Sequence, residues 1–113
     1  MAINTTSDSA TISTTEYFLA SDSTTATYQT SDVVLQVFLD LSAMQAGDTY
    51  VLKFYEKVNA GTSRYFATTT FTDVQTPPHY ASSQYILTEG WEVSMDRTAG
   101  TDRAIAWSLR TVS

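Results

Sequence analysis

The chain has 113 residues, no cysteine, and a formal net charge of -6 from 12 acidic and 6 basic residues. That length suits one domain. The lack of cysteine excludes disulfides and thiolate metal sites, and dispersed basic residues argue against binding nucleic-acid phosphates. The N-terminus lacks the pattern of a secretory signal, and no apolar stretch reaches the ~20 residues that span a bilayer. We therefore expect a soluble domain that binds neither nucleic acid nor membrane.

The first ten residues are polar and rich in Ser, Thr and Asp. This composition predicts a flexible, extended N-terminal arm over residues 1–10, either frayed or ordered on a neighbouring subunit. Residues 11–113 are expected to form a single domain. Thr, Val and aromatic residues are abundant there and good helix formers are few, so the domain is predicted to be all-β.

Residues 11–20 and 32–41 are the first two predicted strands. The loop between them is rich in Ser and Thr, with a short edge strand around residues 27–29 as an option. The second strand alternates strictly and is predicted to lie centrally over the core. Its apolar face comprises Val33, Leu35, Val37, Leu39 and Leu41. Residues 42–48 are too few for a stable helix and are predicted to form a turn.

Residues 49–58 and 64–72 are predicted to pair as a hairpin around a turn that contains Asn59 and Gly61. On the first strand, alternation places Tyr50, Leu52 and Phe54 on the core face. On the second strand, alternation groups Tyr65 with Phe71 and points Phe66 away.

Residues 73–84 form a predicted loop, because Pro77 and Pro78 cannot lie inside a central strand. A short strand over residues 85–88 follows. Residues 90–110 alternate on both sides of a polar turn and predict a second hairpin, with Met95 opposite Ile105 and Arg97 opposite Arg103. One apolar face of this hairpin would carry both tryptophans into the core. Its members are Trp91, Val93, Met95, Ile105, Trp107 and Leu109.

About seven short strands without a helix predict a small antiparallel β-sandwich, with Greek-key or jelly-roll connections left open. Catalytic signals are missing from this framework. His79 is the single histidine, no serine lies in a G-x-S-x-G elbow, and Glu89 and Glu92 fall on opposite strand faces. Usual zinc ligands and calcium-loop motifs are also missing. The sequence predicts a protein without enzymatic activity, cofactor or metal.

Aromatic residues outside the predicted core suggest a protein-protein interface, because tyrosine combines an apolar ring with a polar end. The predicted interface comprises Tyr28, Tyr55, Phe66, Pro77, Pro78, His79, Tyr80 and Tyr85. The alternative is a carbohydrate-binding or host-surface adhesion module of a virion, in which Tyr80, Tyr85 or another exposed aromatic ring stacks on a sugar.

Two segments carry a family resemblance: LDLSAMQAGDTYVLKFYEKV, residues 39–58, and GWEVSMDRTAGTDRAIAWSLR, residues 90–110. They resemble small, cysteine-free, Thr-rich virion structural proteins of tailed bacteriophages, and the segment up to about Ala20 lies outside the resemblance. It implies a capsid decoration or cement protein on the outer head lattice, made in the host cytoplasm. The implied partners are the major capsid protein, other virion proteins and further copies of the chain, with a trimer as the expected assembly.

Overall fold

The computed structural model of the protein describes residues 2–59 and 61–113, which form nine β-strands. The bounds are β1 (Ile3–Ile12), β2 (Tyr17–Phe18), β3 (Val33–Asp40), β4 (Thr49–Glu56), β5 (Arg64–Thr72), β6 (His79–Ala81), β7 (Tyr85–Leu87), β8 (Trp91–Ala99) and β9 (Arg103–Val112). The described residues contain no helix, and residues 42–48 form turns as predicted.

The strands form two antiparallel sheets that pack as a sandwich, which confirms the predicted fold class. Sheet A has the order β1-β9-β3-β6, with β7 also paired to β3, and sheet B has the order β2-β8-β4-β5. Early strands pair with late ones: β1 with β9, β2 with β8, β3 with β6 and β7, and β4 with β5. This nested pairing is a long hairpin wrapped into two sheets, which makes the fold a jelly roll.

The core lies between the sheets and follows the alternation of β3 and β4. The five predicted core residues of the β3 segment, from Val33 to Leu41, are at most 9% exposed. Tyr50, Leu52 and Phe54 of β4 are buried as predicted. Period-two patterning places these side chains correctly because each strand lies in the middle of its sheet, with one face covered by the other sheet.

The predicted hairpin over residues 90–110 is wrong. β8 pairs with β2 and β4 in sheet B, whereas β9 pairs with β1 and β3 in sheet A. The two apolar faces therefore meet across the core instead of lying side by side. Trp91 and Trp107 are 5% and 3% exposed, so their assignment to the core was right. The expected pairing of Arg97 with Arg103 is also absent, since Arg97 binds Asp102 and Arg103 binds Asp48.

The N-terminal segment is a strand rather than a flexible arm. Ile3 to Ile12 pairs with β9 along its whole length, from Ile3 opposite Val112 to Ile12 opposite Arg103. Met1 lies outside the described residues. The first strand predicted from the sequence, residues 11–20, is split, because β1 ends at Ile12 in sheet A and β2 begins at Tyr17 in sheet B. The polar composition of β1 concealed the strand because most of its side chains are exposed.

The hairpin of β4 and β5 is confirmed, but an irregularity changes its tip. The register shifts between Phe54 and Tyr55, so that Phe54 pairs with Ala67 and Tyr55 pairs with Tyr65. Phe66 is the extra residue of a β-bulge. Its ring lies near Phe54 on the core side, and the Tyr65 ring lies against Tyr55 on the outer side. The predicted orientations of Tyr65 and Phe66 are therefore reversed.

The predicted loop over residues 73–84 contains the short strand β6. His79, Tyr80 and Ala81 pair with the C-terminal half of β3, and the Thr76–Pro77 peptide bond is cis. The predicted strand near residue 85 is confirmed as β7, which pairs with the N-terminal half of β3. Together β6 and β7 complete one edge of sheet A, and β1 forms the other edge.

Candidate functional site

The segment that follows β2 covers the edge of sheet B beside β8, and a buried carboxylate holds this cover. Glu92 is 1% exposed and accepts hydrogen bonds from the backbone N–H groups of Ala20 and Val93, both at 2.9 Å. The hydroxyl of Ser21 donates to its second oxygen. Burial raises the pKa of Glu92. The carboxylate satisfies backbone donors that would otherwise be buried without partners, so its place is structural.

A second carboxylate, that of Glu16, lies in the segment that crosses from β1 in sheet A to β2 in sheet B, and it binds this segment to sheet B. The side chain of Glu16 accepts a hydrogen bond from the Tyr55 hydroxyl at 2.5 Å and another from the hydroxyl of Ser94. Desolvation and this bond to Glu16 raise the pKa of Tyr55. Desolvation also raises the pKa of the neighbouring Asp96 carboxyl. This part of sheet B therefore binds the chain's own connecting segment.

Asp48 joins two turns at one end of the sandwich. Its carboxylate accepts bonds from the backbone N–H groups of Thr101 (3.0 Å) and Gln45 (2.9 Å), and it pairs with Arg103 at 2.9 Å. These hydrogen bonds, led by the one from Thr101, lower the pKa of Asp48 to about 2. Gly100 has a φ of +90°, and a Cβ there would collide with Asp48, so the β8–β9 turn requires glycine. Asp48 is thus a structural link between the sheets.

No segment of the described residues covers the outer surface of sheet A. Its most apolar part is a row of four aliphatic side chains that crosses four strands. Ile3 of β1 pairs with Val112 of β9, Val112 pairs with Val34 of β3, and Val34 pairs with Ile86 of β7. Directly paired residues share a sheet face, so the four side chains form one continuous ridge. Ile3 is 68% exposed and Ile86 is 79% exposed. We call this set the aliphatic row.

The rest of this surface is flat and weakly charged. The guanidinium of Arg110 lies over the ring of Phe38, 3.7 Å from its centroid, in a cation-π contact. Open grooves of about 240 Å³ and about 220 Å³ flank this pair. Both volumes fall below the ~300–1,000 Å³ of typical small-molecule pockets. The surface is therefore better suited to another flat surface than to a small ligand.

The described ranges, residues 2–59 and 61–113, hold no group of three or more His, Cys, Asp or Glu side chains that could bind a metal. His79 is a surface residue whose Nε2 lies 3.7 Å from Asp40. No helix in these ranges is long and apolar enough to cross a membrane. Glu16, Asp48 and Glu92 bind structural partners, whereas Oδ1 of Asp96 is buried without a hydrogen-bond partner among the described residues.

The structure distributes the eight residues of the predicted interface over several places. Phe66 and Tyr85 come together with ring centroids 5.3 Å apart, and Tyr85 packs on Phe54 at 4.7 Å. Tyr80 packs edge-on against the core residue Phe71 at 4.8 Å. Half-buried Tyr80 and Tyr85 therefore support the core from the open edge of the sandwich.

The other predicted residues lie apart from that pair. Tyr28 lies beneath Lys57, whose Nζ is 6.0 Å from the ring centroid. Tyr55 packs against Tyr65 at 5.9 Å on the outer side of sheet B. Pro77, Pro78 and His79 are exposed at the start of β6. The eight residues do not form one continuous surface.

A separate hollow lies at the tip of the β4–β5 hairpin. It has a volume of about 350 Å³ and is lined by Glu56, Val58, Thr62, Arg64, Tyr65 and Phe66. Tyr65 is 54% exposed and Phe66 is 49% exposed. The Nζ of Lys53 lies 5.1 Å from the Tyr65 ring centroid. Exposed aromatic rings beside polar groups are the one arrangement here that suits a small polar ligand.

The aliphatic row was missed at the sequence level. Alternation alone places Val34 opposite the core residues of its strand, on a face that it shares with Gln36, Phe38 and Asp40. Ile3 and Val112 lie near opposite ends of the chain, and only the pairing of β1 with β9 brings them together. A single exposed aliphatic residue is ordinary, whereas a row of four requires knowledge of the topology.

No protein-family model matches the sequence, and no curated protein matches it. The fold is similar to a solved structure described as "Bacillus endospore appendages form a novel family of disulfide-linked pili". The TM-score is 0.56 and the identity is 14%, and the alignment covers 99% of this chain and 88% of that chain. At this identity the similarity establishes a shared fold. The neighbour is a structural protein of a bacterial appendage, and it gives no support for a phage origin.

Proposed function

We propose that this chain is a non-enzymatic structural protein that acts by docking onto other protein surfaces in an assembly of many copies. The observation that carries the proposal is the outer face of sheet A, which is flat, weakly charged and crossed by the aliphatic row. Contiguous apolar patches on a soluble protein mark interaction surfaces. The shared fold with a pilus protein is consistent with this role.

Contacts between copies of this chain cannot include disulfide bonds within its 113 residues, because these contain no cysteine. A disulfide-linked assembly of the kind named for the structural neighbour is therefore not available to these residues. Many weak contacts repeated in a symmetric assembly can still give firm attachment. The flat face and the free edge of β1 both offer backbone and side-chain groups for such contacts.

The finer proposal is a decoration or cement protein on the capsid surface of a tailed bacteriophage. It rests on the resemblance of residues 39–58 and 90–110 to virion structural proteins. Quantitative mass spectrometry of purified virions tests it. The expected result is the chain in a fixed ratio to the major capsid protein that survives washing in high salt. Its absence from virions, with recovery from another surface fraction such as pili, would contradict the virion assignment and leave the structural role.

A second candidate, carbohydrate binding, is favoured by the hollow at the β4–β5 tip. Tyr65 and Phe66 present exposed rings there beside Arg64 and Glu56. A glycan array with wild type and with Tyr65→Ala tests this candidate. Binding by wild type that is lost in the variant would favour a sugar-binding module. If neither wild type nor Tyr65→Ala binds any glycan, the sugar-binding candidate is contradicted and the structural proposal stands.

A further inference from the structure

The outer face of sheet A differs from the rest of the molecule in its charge. Among the described residues that strand pairing places on this face, the Asp and Arg side chains are Asp40 and Arg110, and Glu and Lys do not occur there. One acidic residue balances one arginine here, whereas the whole chain carries -6. Two copies can therefore approach through this face without the repulsion that their acidic surfaces impose elsewhere.

The two charged groups on this face cannot pair within one chain. Arg110 lies opposite Gln36, and Asp40 lies four residues further along β3. Four residues of a strand span about 13 Å, so the two side chains are too far apart to form an ion pair. Arg110 instead stacks on Phe38, while Asp40 faces His79. Phe38 is midway between the two charged positions.

From this arrangement we propose that the outer face of sheet A docks a second copy of this chain face to face about a two-fold axis near Phe38. A two-fold axis exchanges the two charged positions, so that Arg110 of each copy reaches Asp40 of the other. The same axis places the aliphatic row opposite Ala104 and Thr11, which lie at the other end of the facing sheet. This inference deepens the proposed function, because it names the partner of the docking face and the pairs that set its register.

The size of the face agrees with a reversible dimer. β1 and β9 have 10 residues each, β3 has 8, and β6 and β7 have 3 each. At about 3.3 Å per residue and about 4.8 Å between strands, they cover about 540 Å² per copy. Two copies would bury about 1,100 Å², which is in the range of weak, reversible complexes and above most chance crystal contacts. A dissociation constant on the order of micromolar is expected.

Sedimentation equilibrium of the purified chain from micromolar concentration to about 100 µM tests the proposal. Wild type is expected to be a dimer, and Ile86→Asp is expected to raise the dissociation constant at least ~10-fold. The matched control is Val58→Asp, because Val58 is an exposed aliphatic residue away from sheet A, 82% exposed against 79% for Ile86. A wild type that stays monomeric, or an equal effect of both substitutions, overturns the proposal.

A charge exchange tests the predicted register. Arg110→Glu alone should weaken the dimer ~10-fold or more, because each interface would then hold two pairs of facing carboxylates. The double variant Arg110→Glu, Asp40→Arg should recover affinity to within about threefold of wild type. Failure of the double variant to recover overturns the assigned pairs.

The particle experiment separates this inference from the proposed function. If the chain is a dimer in solution but is missing from every purified particle, the proposed structural role is contradicted and the dimer interface is supported. A monomer in solution whose attachment to particles is lost on Ile86→Asp would show that another particle protein covers the face, which contradicts the second-copy proposal.

Discussion

The two sheets of the sandwich differ in how far other segments of the chain cover them. Beside β8, the chain covers the edge of sheet B: the backbone N–H of Leu19 binds the carbonyl of Val93, and Gln29 exchanges two backbone hydrogen bonds with Trp91. Hydrogen bonds from the Ala20 N–H and the Ser21 hydroxyl to the Glu92 carboxylate hold this cover in place. On sheet A, no segment of the described chain crosses the outer face, and the aliphatic row leaves Ile3 and Ile86 exposed at its two ends while Val34 and Val112 are half-buried.

This difference separates residues that stabilise the fold from residues that are free to bind. On sheet B, the Glu92 carboxyl is buried, hydrogen-bonded and raised in pKa, which are signs of internal structure. Side chains on the outer face of sheet A contribute little to the core, and four of them form the continuous aliphatic row. Substitutions should therefore change stability on one side and association on the other, with the shared core more sensitive than either.

The largest expected loss of stability is in the core that both sheets share. Trp107→Ala should cost ~3–5 kcal/mol, because it removes a large side chain that is 3% exposed and packs near Tyr17. Chemical denaturation of wild type, Trp107→Ala and the conservative control Trp107→Phe measures this cost. A near-neutral Trp107→Ala would contradict the placement of this tryptophan between the sheets.

The next largest effect is expected where sheet B is covered. Glu92→Ala should cost about 2–4 kcal/mol, because the buried N–H groups of Ala20 and Val93 lose their acceptor. Glu92→Gln keeps an acceptor and should cost less. Hydrogen exchange should show the loss locally, with faster exchange at Ala20 and unchanged exchange in β3. An equal increase in the exchange rate at Ala20 and in β3 would contradict a local role for Glu92.

The pH dependence of stability should show two opposite contributions. The pKa of Asp48 is lowered from 3.8 to about 2, so its stabilisation is present above pH 4 and is lost as the pH falls from about 4 to 2. The pKa of Glu92 is raised above 4.5, so its contribution falls as the pH rises through that raised pKa. Thermal unfolding of Asp48→Asn and Glu92→Gln across pH 2–8 should flatten the respective slopes. Profiles parallel to that of wild type would contradict both assignments.

The smallest effect on stability is expected on the outer face of sheet A. Ile86→Asp should change the free energy of unfolding of the monomer by no more than ~0.5 kcal/mol, because Ile86 is 79% exposed. Denaturation is measured at a concentration where the chain is monomeric. A loss above 2 kcal/mol would mean that this face supports the fold, and the proposed division between the two faces would be wrong.

The sequence predicts individual strands well where one face is buried between the sheets. The alternation of β3 and β4 correctly identifies their core residues, because a half-buried strand has a period of two. It fails at β1, whose exposed polar residues carry no such period, although backbone hydrogen bonds to β9 order the strand. It also fails for β8 and β9, because two apolar faces can meet across a core as well as beside each other.

The candidate site was less predictable than the fold. The sequence predicts Tyr80 and Tyr85 as interface residues because they are aromatic, but their rings pack against the core at an open edge of the sandwich. The bulge at Phe54 and Tyr55 reversed the orientations of Tyr65 and Phe66, and alternation cannot anticipate an inserted residue. The aliphatic row depends on pairing between strands that are distant in sequence. The candidate docking face can therefore be identified only when the pairing of the strands in sheet A is known.

Hydroxyl-radical footprinting of the chain, free and in its assembled form, is the most direct test of which face is adhesive. The account predicts protection of Ile86, Val34 and Phe38 on assembly, with Val58 and Tyr65 labelled equally in both states. Protection of Val58, Tyr65 and Phe66, with Ile86 unchanged, would contradict it and move the functional surface to the tip of the β4–β5 hairpin.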